Sequence, residues 1–172
     1  MVIRTERLLL RPLGIGDLKT VHEYASDLEN TRYMMFLPNT TEEETAEFLS
    51  SVEREWSKDD PDFFEFAVIL DEAQIGAVAI YLNEVKDQGE IGWILNKKYW
   101  NNGYISEAAK AVLDFANTRL HLKSVIAQCD WRNAPSAKVM EKLGMTLIDA
   151  NGSRTYIKRE ETARELTYMI EF

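Results

Sequence analysis

The chain has one cysteine, Cys129, and two histidines, His22 and His121. A single thiol forms no intramolecular disulfide, and two distant histidines carry no ligand spacing. Neither a disulfide scaffold nor a structural zinc site is expected, and no metal is assigned. Basic residues are the minority, 20 against 29 acidic, for a formal net charge of -9. Phosphate neutralisation needs a Lys/Arg surplus, so nucleic acid is disfavoured as the main ligand, as is an anionic membrane. Such a surface draws cations, although the same charge also serves plain solubility. Proline (4) and glycine (8) are too few for a low-complexity or collagen-like chain. The longest apolar stretch, Ile75 to Leu82, falls far short of the roughly 20 residues of a membrane helix. Arg4, Glu6 and Arg7 leave no signal-type apolar region at the start, and a cytoplasmic protein is expected.

What is present is core material. Of 172 residues, 45% are hydrophobic, enough for one domain spanning 1–172. Residues 7–12 read as a strand closed by Pro12, and residues 16–28 as a helix with Leu18, Val21, Ala25 and Leu28 on one face. Thr41 opens a second helix with Glu44 as its capping-box partner. The period then changes. Residues 64–70 and 74–82 form a hairpin about Asp71-Glu72-Ala73, and a third strand runs over 89–96. A helix over 103–119, a strand over 123–130 and a helix over 134–143 follow. Strands at 146–151 and 164–171 close the chain, with Asn151-Gly152 read as the turn between them. The order β-α-α-β-β-β-α-β-α-β-β predicts a mixed α/β fold of about seven strands, with helices on both faces of the sheet.

Two segments carry chemistry. In Trp100-Asn101-Asn102-Gly103-Tyr104-Ile105-Ser106-Glu107, a polar loop leads into a helix. The first turn of a helix has unpaired N–H groups and partial positive charge, so the amides of Asn102 to Ser106 converge on a spot suited to a diphosphate. One glycine before a helix is by itself only a turn. No Walker loop or dinucleotide fingerprint is present. In the second segment, from Asn133 to Met145, Asn133 reads as an N-cap, Pro135 lies in the first turn and Gly144 ends the helix.

Taken together and in register, these segments resemble the GNAT acetyltransferase superfamily, and in particular its ribosomal-protein N-terminal acetyltransferase (RimJ/RimL-like) branch. The likeness extends to Arg4-Thr5-Glu6-Arg7-Leu8-Leu9-Leu10-Arg11-Pro12, Glu90-Ile91-Gly92-Trp93-Ile94-Leu95, Gly103-Tyr104 with Glu107-Ala108, and Asn133 and Ser136 with Glu141-Lys142-Leu143-Gly144. It covers nearly the whole chain. The resemblance implies a twisted, mostly antiparallel sheet in which the strands at 89–96 and 123–130 splay apart. The pantetheine arm of acetyl-CoA would lie in the gap like an added strand. Ile94 and Leu95 would supply its main-chain partners, Asn102, Gly103, Tyr104, Ile105 and Ser106 would hold the diphosphate, and Asn133 would bond the arm.

Three positions depart from the superfamily pattern. Trp100 stands where Gln or Arg opens the loop, Ile105 replaces a small residue, and Met140 stands where many members carry the tyrosine that protonates the leaving thiolate. The branch with serine at position 136 suggests Ser136 as proton donor instead. Glu90 is the expected base, since it lies beside the gap and points opposite to Trp93. Asp130 is the second candidate. Cys129 reads as a buried packing residue. Tyr33, Met35, Phe36 and Glu84 would line the acceptor pocket. The implied reaction is direct attack of a primary amine on the thioester. The acceptor is a peptide N-terminus, a polyamine or an amine antibiotic. The alternative is an acetyl-CoA-binding regulatory module without turnover. The sequence is compatible with a homodimer.

Overall fold

The computed structural model describes all 172 residues. Eight strands form one sheet in the order β1-β2-β3-β4-β5-β6-β8-β7. They are β1 (Ile3–Arg4), β2 (Leu9–Pro12), β3 (Phe63–Leu70), β4 (Ala73–Leu82), β5 (Gln88–Leu95), β6 (Ser124–Asp130), β7 (Thr146–Tyr156) and β8 (Glu161–Glu171). The helices are α1 (Leu18–Ala25), α2 (Glu42–Trp56), α3 (Tyr104–Thr118) and α4 (Ala134–Lys142). All neighbouring strands are antiparallel except β5 and β6. No helix is long and apolar enough to cross a membrane.

Strand alternation divides the apolar residues between two cores. Phe66, Val68, Val78, Ile80 and Ile91 face α3 and α4 and join a cluster of 24 buried residues. Ala67, Ile69 and Ala77 face the other way, where Val21, Tyr24 and Ala25 of α1 and Leu49 and Val52 of α2 cover them in a cluster of nine. Truncating a fully buried member such as Phe66 costs about 3–5 kcal/mol in a rigid core. The Thr41 hydroxyl caps α2 by accepting from Glu44 N–H, and Glu44 reaches back to the Thr41 N–H.

Three expectations change. The first helix stops at Ala25, which leaves Leu28 outside it and 77% exposed. The chain has an eighth strand, β1, whose two residues are too few to show a period. The Asn151-Gly152 turn does not form. Thr146–Tyr156 is one continuous strand, and that dipeptide sits at a register shift between Asp149 and Gly152 in the pairing with β8. An irregularity absorbs the turn signal because β8 offers a full-length partner. Reversal comes later, through a 3-10 turn at Ile157–Arg159 and the left-handed Glu160.

Candidate active site

β5 and β6 pair only over Gln88, Glu90 and the residue between, against Ser124 to Ile126. Beyond Glu90 they part. β5 remains paired to β4 as far as Leu95, and β6 to β8 as far as Asp130, so a fork opens between two otherwise complete ladders. The Asn96 N–H donates to Ile75 C=O at 2.8 Å, which sets the alternation along β5. Main-chain groups of Ile94 turn to β4, and those of Ile91, Trp93 and Leu95 face the fork. Of the expected pair, Ile94 is therefore out of phase, whereas Leu95 is in phase. The Leu95 carbonyl, however, already accepts from Asn30 Nδ2 and Trp100 Nε1, both at 2.8 Å. Trp93 and Ile91 are better placed than Ile94 to meet a ligand.

At the open end, the chain passes through a 3-10 turn at Lys97–Tyr99 into the loop before α3. Asn101 (φ 63°) and Gly103 (φ 78°) are left-handed there, a conformation that costs glycine nothing. Asn102 Nδ2 donates to the carbonyls of Tyr99 and Trp100 and braces the loop. No side chain caps α3. Its first main-chain bond runs from Glu107 N–H to Gly103 C=O, so the N–H groups of Tyr104, Ile105 and Ser106 have no intrahelical partner. Ile105 is buried in the larger core and offers only its main chain to the loop.

The loop is pinned from the far edge of the sheet. Glu107 accepts from Thr5 Oγ1 (2.6 Å), Arg7 N–H (2.8 Å) and Arg7 Nε (2.7 Å). Arg7 Nη1 also donates to Asn102 C=O at 3.0 Å, and its guanidinium lies 4.7 Å over the Tyr104 ring. Burial alone would raise the Glu107 carboxyl, but the bonds from Thr5 and Arg7 outweigh it and hold it below its ordinary value.

α4 starts on the other arm of the fork. Asn133 Oδ1 accepts from Ser136 N–H at 3.3 Å, while its amide nitrogen has no partner in the chain. Ser136 is partly exposed in the first turn, and its hydroxyl makes no side-chain bond. Met140 is 1% exposed and belongs to the core. Asp130 is fully buried and takes the Arg132 fork at 2.9 and 2.7 Å and the Tyr156 hydroxyl at 2.5 Å. Burial works against its charge, but those donors hold its carboxyl far below the carboxylate range. Tyr156 is in turn pushed up to about 12, by burial and then by Asp130. So strong an acid is a poor base, and Asp130 drops out as a candidate. Burial pushes the Cys129 thiol up to about 11, as befits a packing residue.

Glu90 is the last residue of β5 paired with β6, and it stands on the α1/α2 face of the sheet opposite Tyr81 of β4. Desolvation of its carboxylate raises its pKa, partly offset by the charge of Arg154. Glu65 shares this face. Burial pushes it to about 7 against the hydrogen bond from the Tyr81 hydroxyl at 3.0 Å. Glu165 is raised too, by burial first and by the charges of Glu90 and Asp149, with Arg154 opposing.

A strap roofs this floor. Arg159 Nη1 donates to Arg32 C=O (2.8 Å), Arg154 Nη2 to Tyr33 C=O (3.3 Å), and Ile157 N–H to Met35 C=O (3.1 Å). Tyr33 and Met35 thus belong to the strap through their main chains. Phe36 is 65% exposed, and Glu84 sits exposed in the β4–β5 turn without a side-chain bond. Sequence reasoning missed Arg154, Glu165 and Tyr81. Tyr81 follows from extending the strand alternation outward. Arg154 lay beyond the false turn at Asn151-Gly152, so no strand pointed it anywhere.

Coenzyme A fits this geometry. The fork bares strand groups to an amide-bearing arm, and the uncapped start of α3 bares N–H groups to a diphosphate. The comparisons agree. The acetyltransferase (GNAT) domain family matches residues 7–146. The uncharacterized N-acetyltransferase YnaD of Bacillus subtilis (strain 168) is 36% identical over 149 residues, covering 84% of this chain and 82% of that protein. The crystal structure of an acetyltransferase (GNAT family) from Bacillus anthracis superposes with a TM-score of 0.85 at 34% identity, over 99% of this chain and 98% of that one. RimL, a ribosomal L7/L12 alpha-N-protein acetyltransferase solved with coenzyme A, shares the fold at 15% identity, with a TM-score of 0.81 over 100% and 98% of the two chains. A forked sheet, a bare helix start beneath it and a domain match over most of its length make this chain a member of the GNAT acetyltransferase family.

Proposed function

We propose that the acceptor is a primary amine, and that it attacks the thioester directly with Glu90 as base and Ser136 as proton donor. GNAT acetyltransferases use acetyl-CoA, which supplies the activated acetyl group. Transfer breaks a C–S bond and forms the C–N bond of an amide. Glu90 receives the proton released from the amine, directly or through one water. Ser136 delivers a proton to the departing sulfur and regains one from solvent. A thiol of ordinary pKa near 8.5 leaves readily, so positioning in the fork contributes more than Ser136 does. Trp93 and Leu95 N–H, the amides of Asn102 to Ser106 and the free Asn133 amide would hold the cofactor.

The supporting observation is the place of Glu90. It is the last residue of β5 paired with β6 before the fork opens, its side chain is on the face away from α3 and α4, and it is a carboxylate whose proton affinity has been raised. The test is thiol release from acetyl-CoA over a panel of amines. Glu90→Gln should lower kcat by about 100-fold or more, within the usual range for a lost acid–base group. Ser136→Ala should lower it by about 10-fold or more. Both should leave CoA affinity near that of the wild type. Because Glu90 is raised, the acid limb of kcat/KM in the wild type should lie above the ordinary glutamate value, with activity lost as pH falls through it. CoA binding without turnover on any amine would overturn the proposal.

A further inference from the structure

Arg154 is the least satisfied buried group in the protein. It is 7% exposed, yet its Nε and Nη1 have no hydrogen-bond partner. Nη1 comes only to 3.5 Å from Glu165 Oε2, and the single bond the guanidinium makes goes from Nη2 to a peptide carbonyl, Tyr33 C=O. Buried donors are nearly always matched, so unmatched ones mark a place where another molecule completes the set. The place is specific. Arg154 lies beneath the strap, beside Glu165, and the strand register puts Glu90 on the same face of the sheet.

We infer that Arg154, with Glu165 and Glu90, forms a paired-charge acceptor site for an α-amino carbonyl unit, the two carboxylates facing the amine and Arg154 donating to the carbonyl oxygen. This inference rests on the proposed amine transfer. In an amino acid amide or a peptide N-terminus, amine nitrogen and carbonyl oxygen lie about 3 Å apart on one short skeleton. That spacing matches a guanidinium set 3.5 Å from the Glu165 carboxylate. The Tyr33 contact shows that the guanidinium already engages this type of oxygen. A diamine has no acceptor atom for Arg154 and would bring a second positive charge against it. A site built to hydrogen-bond its substrate rejects analogues lacking that group by large factors.

The test compares Ala-Ala amide with 2-aminopropane and 1,4-diaminobutane, as kcat/KM per neutral amine. In the wild type the peptide should lead by about 100-fold or more. Arg154→Met should collapse that lead to within about threefold, and Arg154→Lys should keep part of it. Calorimetry gives a second readout. N-acetylalaninamide should bind the CoA complex about tenfold more weakly in Arg154→Met, a single charge-assisted bond being lost. Equal or better turnover of the diamine by the wild type overturns the inference and leaves amine transfer standing, and this arm needs no variant to fold. A lead that survives in Arg154→Met overturns it as well. CoA binding with no turnover of any of the three overturns amine transfer itself.

Discussion

α3 and α4 both begin at the open fork, one on each arm, and they begin differently. α3 enters through a left-handed glycine with no side-chain cap. α4 enters through Asn133, whose side chain takes the Ser136 N–H. The anchoring pairs differ as well. Glu107 of α3 is held by Arg7, which is 42% exposed, whereas the turn into α4 is held by Asp130, whose side chain is 0% exposed. A cap satisfies a helix from within and closes it to ligands. A bare start keeps its donors for something outside. The fork thus has one end built to receive an anion and one built to stay fixed while chemistry happens beside it.

The sharpest way to break this contrast is to give α3 the cap it lacks. Gly103→Asp places a carboxylate at the helix start, and aspartate is among the residues that tolerate positive φ. The nearest atom to a Cβ there is Arg7 Nη2 at 3.6 Å, so there is room. The fold should survive, and CoA affinity measured by calorimetry should fall about 100-fold, about 2.7 kcal/mol, because the new side chain occupies a donor and repels the diphosphate. Unchanged affinity would mean the diphosphate lies elsewhere.

On the fixed arm, Tyr156→Phe removes one donor from a buried carboxylate. Urea unfolding at pH 7 should show a loss of about 2 kcal/mol, as for a bond to a charged group. The pH dependence follows by sign. The folded pKa of Asp130 is depressed below its unfolded value near 3.9. Its stabilisation is present above that value and lost as pH falls through the folded pKa. With Tyr156 gone the folded pKa rises, so acid unfolding should begin at higher pH than in the wild type.

Arg7→Ala leaves Glu107 as an uncompensated anion in the first turn of α3. CoA should bind about tenfold more weakly, with a stability change under about 1 kcal/mol because the pair is exposed. Adding Glu107→Gln, which keeps an acceptor for Thr5, should restore most of the affinity. The smallest effect belongs to Asn133→Ala. Loss of the cap should cost about 1 kcal/mol in chemical unfolding.

The two ends of the fork were also unequally legible. The start of α3 is written in local terms, a glycine and polar residues between a strand and a helical period, and Asn133 announces its own cap. Strand phase was less secure. Which of Ile94 and Trp93 turns its main chain to the gap depends on the Asn96–Ile75 bond across β4, which no local pattern reports. The acceptor side was hidden for a stronger reason. Arg154 meets Tyr33 from 121 positions away, on a strand that runs through a dipeptide with strong turn preference. Long-range pairing with β8 overrode local propensity there, and the residues past it could not be placed.

The strap over the acceptor floor is fastened through the carbonyl oxygens of Arg32, Tyr33 and Met35. Every amino acid supplies that oxygen. Mutation can therefore exchange the side chains along this stretch while its anchorage persists, and descendants of this protein are free to drift toward new acceptors without first rebuilding the scaffold that holds them.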